Sequence, residues 1–337
     1  KKENTSGFFR GIPSYIKDNI AVKGIPTSYG SDALTPKVEK RHSAYTKQLL
    51  TSGVNVLGKS ALPEFGFNAT TEPAHTHPTR NPWHLGYSSG ASSGGSAALV
   101  AAGVVPFAHG NDGGGSIRIP AACCGLVGLK PSRHRHINEF MARSLPINIV
   151  SEGILSRSVR DTAYFHFELQ KYYRNTKLPT LPLITTAGKR RLKIGVYTDS
   201  VTGYSTDAET RHTTIQTASL LEDLGHTVEE MRFPVNPQFL EDFSLYWGML
   251  SFLVKQTAKL TFSASFTPKA MDSLSHGLAK YYRKNLYKTP IFLYGLKQAA
   301  QQFTAHFDTY DAYLSPVLAQ TTRPLGELHP STDFDEL

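Results

Sequence analysis

The chain has 337 residues, with 36 Lys and Arg against 27 Asp and Glu for a net charge of +9. Its 40% hydrophobic and 19% charged composition supplies a sizeable core and excludes a disordered, collagen-like or coiled-coil chain. At roughly 150 residues per domain, the length suits two ordinary domains or one large one. The positive charge is diffuse. Its densest clusters, Arg133-His134-Arg135-His136 and Lys189-Arg190-Arg191-Leu192-Lys193, are short, so they describe a basic surface and no nucleic-acid partner is expected. Cys123 and Cys124 are adjacent, too close for an unstrained bridge, which points to a reducing, cytoplasmic compartment. The longest apolar stretch, Ala97 to Ala108, is interrupted by Gly103 and Pro106 and is too short for a membrane span. The opening Lys1-Lys2-Glu3 carries neither a methionine nor an apolar leader, so it is not expected to be the start of the gene.

In chain order, residues 11–19 suit a short buried strand around Ile12, Tyr15 and Ile16. Residues 43–52 have helical spacing and stop at Gly53, and Val54-Asn55-Val56-Leu57 follows as a strand. From Asn81 to Asn111 there is no Asp, Glu, Lys or Arg, and residues 86–116 contain nine glycines and six serines. Within this segment Ala97–Ala102 reads as a helix buried all round, which implies backbone packed closely on backbone or ligand. A short helix is expected over 116–124, a strand over 126–129 and an amphipathic helix over 158–173. A strand over 192–197, a helix over 206–224 stopped by Gly225, and a strand over 227–231 follow. Residues 238–307 read as mostly helical, interrupted near Pro268 and Pro290, with a late strand over 312–318. The alternation argues for an α/β fold with a mixed, largely parallel sheet flanked by helices.

Three familiar signatures fail on context. Gly53-Val54-Asn55-Val56-Leu57-Gly58-Lys59-Ser60 matches a phosphate loop, but its middle is itself strand-like and Pro63 interrupts the helix that should follow. Ser14-Tyr15-Ile16-Lys17 matches S-x-x-K, yet the local pattern is a strand and the partner motifs are missing. Gly86-Tyr87-Ser88-Ser89-Gly90 and Gly90-Ala91-Ser92-Ser93-Gly94 match a nucleophile elbow, but a proline-broken loop stands where the preceding strand should be. An α/β-hydrolase esterase using Ser88 or Ser92 is the competing reading. His75, His77 and His84 lack a cysteine or carboxylate at ligand spacing and read as a polar loop, so no metal is expected. Cys123 and Cys124 read as small core residues. The sequon Asn68-Ala69-Thr70 would stay unmodified in the cytoplasm.

The informative run is Gly110-Asn111-Asp112-Gly113-Gly114-Gly115-Ser116-Ile117-Arg118-Ile119-Pro120-Ala121. Three unhindered glycine N–H groups before a helix-opening serine make a cradle for a developing oxyanion, with an acyl-transfer nucleophile at its lip. An anion-binding or purely structural turn is the plainer alternative. Asp112 and Arg118, six residues apart, read as a structural ion pair.

Together with Ile16-Lys17-Asp18-Asn19, Gly58-Lys59-Ser60-Ala61-Leu62-Pro63-Glu64-Phe65, Gly90–Ala98 and Cys124–Ser132, this run resembles the amidase signature family. Strong similarity covers about residues 11–135, and the gaps of 75 residues from Lys17 to Ser92 and 24 from Ser92 to Ser116 also suit the family. The resemblance implies an amidase that cleaves carboxylic amides through a covalent acyl-enzyme. Ser116 would be the nucleophile, Ser92 (after a cis peptide) the proton relay, and Lys17 the base, with the N–H groups of Gly113, Gly114, Gly115 and Ser116 as the oxyanion hole. Lys17 would have to be neutral, which burial would favour. No metal or organic cofactor is implied. Asn111 and Gly113 stand where many members have threonine, and Ala91 replaces a glycine. This form resembles the branch that includes the nylon-oligomer hydrolases, the 6-aminohexanoate cyclic dimer hydrolases.

An inactive, amide- or anion-binding homologue is the non-enzyme alternative. Against the family the chain reads as one domain over 1–337, apparently short at both ends, with a signature core at 11–135 and an aromatic-rich helical region near 236–307. The aromatics between Phe239 and Phe266 could line an acyl pocket, though such spacing more commonly marks core. The expected partner is a small-molecule amide, with no membrane association and with a homodimer as one option.

Overall fold

The computed structural model describes residues 7–200, 204–233 and 235–335. The opening Lys1-Lys2-Glu3 and the terminal Glu336-Leu337 lie outside the described residues. The chain divides into two compact units, one built from 1–186, 254–277 and 322–337, the other from 187–253 and 278–321.

The first unit contains β1 (Pro13–Lys17), β2 (Pro26–Thr27), β3 (Lys37–Val38), α1 (Ala44–Thr51), β4 (Asn55–Ser60), β5 (Arg80–Asn81) and β6 (His84–Ser88). It continues with α2 (Gly94–Ala101), β7 (Phe107–Asp112), α3 (Arg118–Cys124), β8 (Val127–Gly128), α4 (Phe140–Ser144), β9 (Ser151–Ser156) and α5 (Val159–Leu169). The second unit is built on β10 (Lys193–Val196), α6 (Ala208–Asp223), β11 (Thr227–Glu230) and later segments. These are α7 (Gln238–Thr261), α8 (Ser273–Lys284), α9 (Thr289–Ala305) and β12 (Ala312–Leu314); α7 ends and α8 begins in residues of the first unit.

Pairing is mixed, as expected for the α/β class. β1 runs parallel to β4, bringing Lys17 opposite Ser60, and β10 runs parallel to both β11 and β12. β7 is antiparallel to β9, setting Asn111 opposite Glu152 and His109 opposite Ile154, and β8 pairs with the other side of β9. β7 and β9, both fully buried, are the longest of the strands that the sequence patterning did not suggest; the short β2, β3, β5 and β6 are the others. Gly110, Asn111, Asp112, Glu152 and Gly153 are poor strand formers, and only burial between neighbours makes them extended. The helix over 97–102 also needs correction: α2 packs through Gly94–Ala97 and Val100, while Ala98 and Leu99 are half-buried and Ala102 is exposed. Pro268 opens a short 3₁₀ turn and Pro290 sits in the first turn of α9, where its missing N–H costs nothing.

The main core of the first unit joins Ile16 of β1 and Ile20 just after it to Tyr45 and Leu49 of α1, Phe107, Ile154 and Phe165. Phe107 meets Phe9 and Phe165 edge-on at 5.4 and 5.5 Å, geometry that adds to simple burial. Close backbone packing in the glycine-rich segment is as anticipated: a Cβ on Gly95 would lie 2.4 Å from the Ala61 nitrogen.

A buried histidine pair lies within this core. His136 Nε2 and His166 Nδ1 are 2.8 Å apart, and His136 Nδ1 lies 3.3 Å from Gln48 Nε2. Burial, reinforced by each other's charge and that of Arg135, holds His136 well below the usual imidazole value, and burial together with Arg135 brings His166 down to about 4. Both are therefore neutral in the folded protein and protonate on unfolding. Their contribution to stability is present above about pH 6.5 and is lost as pH falls towards 4. Glu64, which burial and the neighbouring Asp272 push up to about 7, opposes this as a single group. The expected outcome is a loss of about 3 kcal/mol from His166 alone between pH 6.5 and 4, read as the urea midpoint at fixed ionic strength. Because Glu64 offsets about as much with the opposite sign, the check is against a His166→Phe variant: an equal change of midpoint in both proteins over that interval would contradict the neutral pair.

Candidate active site

Lys17 ends β1, in which Ser14 and Ile16 face the core and Tyr15 on the other face is half-buried; Lys17 shares the Tyr15 face and is nonetheless fully buried. Ser92 lies between β6 and α2, in a segment of small residues, and follows a cis peptide from Ala91. Ser116 follows the triple-glycine turn that leaves β7 and precedes α3, and is 8% exposed. Of these three, Lys17 and Ser92 are in direct contact: Nζ lies 2.7 Å from Oγ. Ser116 is held beside them through the main chain, its carbonyl accepting from Ser93 N–H at 3.2 Å. No Ser92–Ser116 hydroxyl hydrogen bond occurs among the described residues; catalytic hydrogen bonds commonly tighten only when substrate is bound.

Lys17 Nζ also donates to Asn111 Oδ1 at 2.8 Å and lies 3.5 Å from the Asn111 carbonyl. A neutral amine has two N–H donors, and both then have acceptors on Asn111, leaving the lone pair for Ser92. Asn19 pairs reciprocally with the same amide, its Nδ2 donating to Asn111 Oδ1 at 3.3 Å and its Oδ1 accepting from Asn111 Nδ2 at 3.2 Å. Burial brings Lys17 down to about 7, against the opposing pull of the Glu152 and Asp112 carboxylates.

The turn before Ser116 is built on Asp112, whose side chain is fully buried. Its carboxylate accepts from Gly115 N–H at 2.9 Å and Ile117 N–H at 3.2 Å, and holds Arg118 in a two-pronged pair at 2.9 Å on each arm. Lys130 Nζ braces the same turn, donating to the carbonyls of Asp112, Gly113 and Ile149 at 2.7–3.0 Å. Burial pushes the Asp112 carboxyl up, but the Arg118 hydrogen bonds and the Lys130 charge outweigh it and hold it well below the usual carboxylate range. This corrects one member of the expected oxyanion hole. Gly115 N–H is committed to Asp112, whereas the N–H groups of Gly113, Gly114 and Ser116 have no partner among the described residues.

The phosphate-loop and S-x-x-K motifs lie on strands β4 and β1 as expected, but the loop expected before the serine-rich elbow is strands β5 and β6, followed by α2, so a strand does lead into Ser88. Gly58-Lys59-Ser60 ends strand β4, and Lys59 is paired with Asp18 at 2.8 Å. Ser88 is buried at the end of β6, its Oγ 2.7 Å from Thr70 Oγ1 and accepting from Gly90 N–H, so it is not a free nucleophile. His75, His77 and His84 are exposed, and Cys124 is buried with its thiol pushed up to about 12 by burial and by Cys123. Phe239 packs against Phe243, which stacks on Trp247 along α7, while Phe262 and Phe266 pack with Tyr29 and Phe65 in the first unit.

Gly66 matters more than sequence inspection suggests. Its φ is +78°, and a Cβ there would sit 3.1 Å from Ser92 Oγ. Gly66→Ala is expected to lower kcat about 10-fold or more while the fold survives, because it displaces the hydroxyl that Lys17 contacts. Steady-state kinetics alongside far-UV circular dichroism tests this, and an unaltered kcat would show that Ser92 tolerates the crowding.

Comparison with known proteins identifies the family. The sequence model of the family described as Amidase matches residues 1–337. The putative amidase AmiC of Mycobacterium bovis is 46% identical over 328 residues, covering 97% of this chain and 69% of that protein. The structure of a 6-aminohexanoate cyclic dimer hydrolase superposes with a TM-score of 0.83 at 27% identity, over 99% of this chain and 74% of that one. A bacterial aryl acylamidase of the amidase signature enzymes superposes at 0.79 with 26% identity, over 94% and 68%. Among the described residues no helix is long and apolar enough to cross a membrane. The chain belongs to the amidase family and is an amidase-signature hydrolase, acting on the carbon–nitrogen bonds of amides.

Proposed function

We propose that this chain hydrolyses a small carboxylic amide with Ser116 as nucleophile, Ser92 as proton relay and Lys17 as base. The observation that carries the assignment is the buried 2.7 Å contact between Lys17 Nζ and Ser92 Oγ beside the serine-tipped glycine turn. Neutral Lys17 takes the Ser92 proton while Ser92 takes that of Ser116, whose Oγ attacks the carbonyl carbon. Negative charge then develops on the carbonyl oxygen. The N–H groups of Gly113, Gly114 and Ser116 are the donors suited to receive it. When the carbon–nitrogen bond breaks, the proton returns from Lys17 through Ser92 to the leaving nitrogen, and water releases the acyl group by the same route in reverse.

Likeness to a cyclic dimer hydrolase and an aryl acylamidase supports short aliphatic, aryl and lactam amides as the first substrates to screen. The family match over 1–337 supports reading the chain as one family domain, and two unbridged cysteines support a cytoplasmic setting. A homodimer belongs to the same reading and is tested by sedimentation. The test of the site is labelling with a fluorophosphonate followed by peptide mapping. A single adduct on Ser116 is expected. An adduct on Ser88 would restore the esterase alternative, and neither adduct nor turnover on any amide would favour an inactive binding homologue.

A further inference from the structure

Beneath Lys17 lies a second buried pair that the proton relay does not use. His109, on β7, is fully buried, and Glu152, on β9, is 2% exposed. His109 Nδ1 accepts the main-chain N–H of Lys17 at 3.2 Å, so that nitrogen carries no proton. The other nitrogen, Nε2, is then the protonated one, and it lies 2.9 Å from Glu152 Oε2. Ser96 Oγ donates to the His109 carbonyl at 2.6 Å, and the Tyr45 ring covers the imidazole at 4.8 Å between centroids. The imidazole is thus held at both ring nitrogens and packed against the Tyr45 ring, with its tautomer set by the strand that carries the lysine.

The surrounding charges single out Glu152. Lys59 on β4 is turned to Asp18. Asp112 on β7 lies between Arg118 and Lys130, two cations on one carboxylate. Tyr45 on α1 is neutral, held well above its usual value by burial and by Glu152. Glu152 contacts a neutral imidazole instead, and among the described residues no Lys or Arg reaches it. It is the uncompensated anion near a buried lysine, and an anion there favours the ammonium form.

We infer that the Glu152–His109 pair is a positioning and charge-setting device for Lys17: His109 fixes the main chain at the lysine, and the Glu152 carboxylate keeps the desolvated amine basic enough to take a proton. Without that anion, burial alone would leave an amine that is neutral over a wider pH range but a weaker base. This rests on Lys17 being the base, as proposed above.

The test is the pH dependence of fluorophosphonate labelling at Ser116 in the full chain. Glu152→Gln keeps the shape and an acceptor for His109 while removing the charge. It should move the acid limb of the labelling rate to lower pH by about one unit, with the high-pH plateau kept within about 3-fold. His109→Asn retains an acceptor for the Lys17 N–H but leaves the buried carboxylate without a donor, so that it takes up a proton; the limb should move the same way. His109→Gln keeps a donor to Glu152 but loses the Lys17 anchor, and should lower the plateau without moving the limb. If Glu152→Gln is not recovered folded, His109→Asn carries the test. A limb that stays put in both charge-removing variants, or moves to higher pH, overturns the inference and reduces the pair to packing. A wild type with no acid limb at all removes the lysine base itself, and this inference with it, so the two failures are told apart.

Discussion

Replacing Lys17 by Ala is expected to lower kcat/KM on any amide substrate by at least about 10³-fold, with the chain still folded. The wild type should lose activity about tenfold per pH unit below about 7 and level off above it. The sign follows from the role: the base acts only when neutral, burial brings the lysine down to about 7, and acid returns it to the ammonium form. Lys17→Ala should remove that limb, leaving a slow reaction that rises only with hydroxide. Lys17→Arg is the sharper control, because a guanidinium is not deprotonated in this range and should be inactive at every pH. Asn111 contributes through its two acceptors, since an amine that donates twice to Asn111 has its lone pair aimed at Ser92. Measuring kcat/KM from pH 5 to 9 for the three proteins decides the matter. A Lys17→Ala profile with the wild-type limb would mean that a different group is the base.

The parts of this site legible in the sequence are those written in consecutive residues. Gly113-Gly114-Gly115-Ser116 announces a turn with exposed N–H groups, and the charge-free span around Ser92 announces a dry surrounding for Lys17. The second unit was equally readable, because β10, α6 and β11 follow ordinary periodicities with Gly225 as the stop. His109 and Glu152 were not readable. They meet across β7 and β9, 43 residues apart, in strands whose glycines and polar side chains give no alternation to follow. Gly115 was misassigned for a related reason. A glycine N–H looks free until a carboxylate three residues earlier folds back onto it. Asn111 stood out in the sequence only as a departure from threonine, and its pairing with Asn19 spans 92 residues. Local chemistry is written in runs, while the groups that tune it arrive through strand pairing.

Asp112→Ala is expected to damage both stability and activity, by about 3–5 kcal/mol in unfolding free energy and at least about 10²-fold in kcat. The carboxylate accepts from Gly115, Ile117 and Arg118 and lies 3.2 Å from Lys130 Nζ. Removing it leaves buried N–H donors unpaired and places Arg118 and Lys130 beside each other with no anion between them. The main-chain donors of Gly113, Gly114 and Ser116 then lose the brace that aims them. Because its folded-state carboxyl titrates well below the unfolded value, Asp112 contributes stability that is present above about pH 4 and lost in stronger acid. Arg118→Ala is the informative contrast. That side chain is 45% exposed, so solvent replaces part of what is lost and the cost should be about 1 kcal/mol. Urea unfolding at pH 7 with kcat measured on the same preparations tests the pair. If Asp112→Ala costs no more than Arg118→Ala, the turn is held by its glycines and by Lys130, and Asp112 is not the residue on which the nucleophile loop is built.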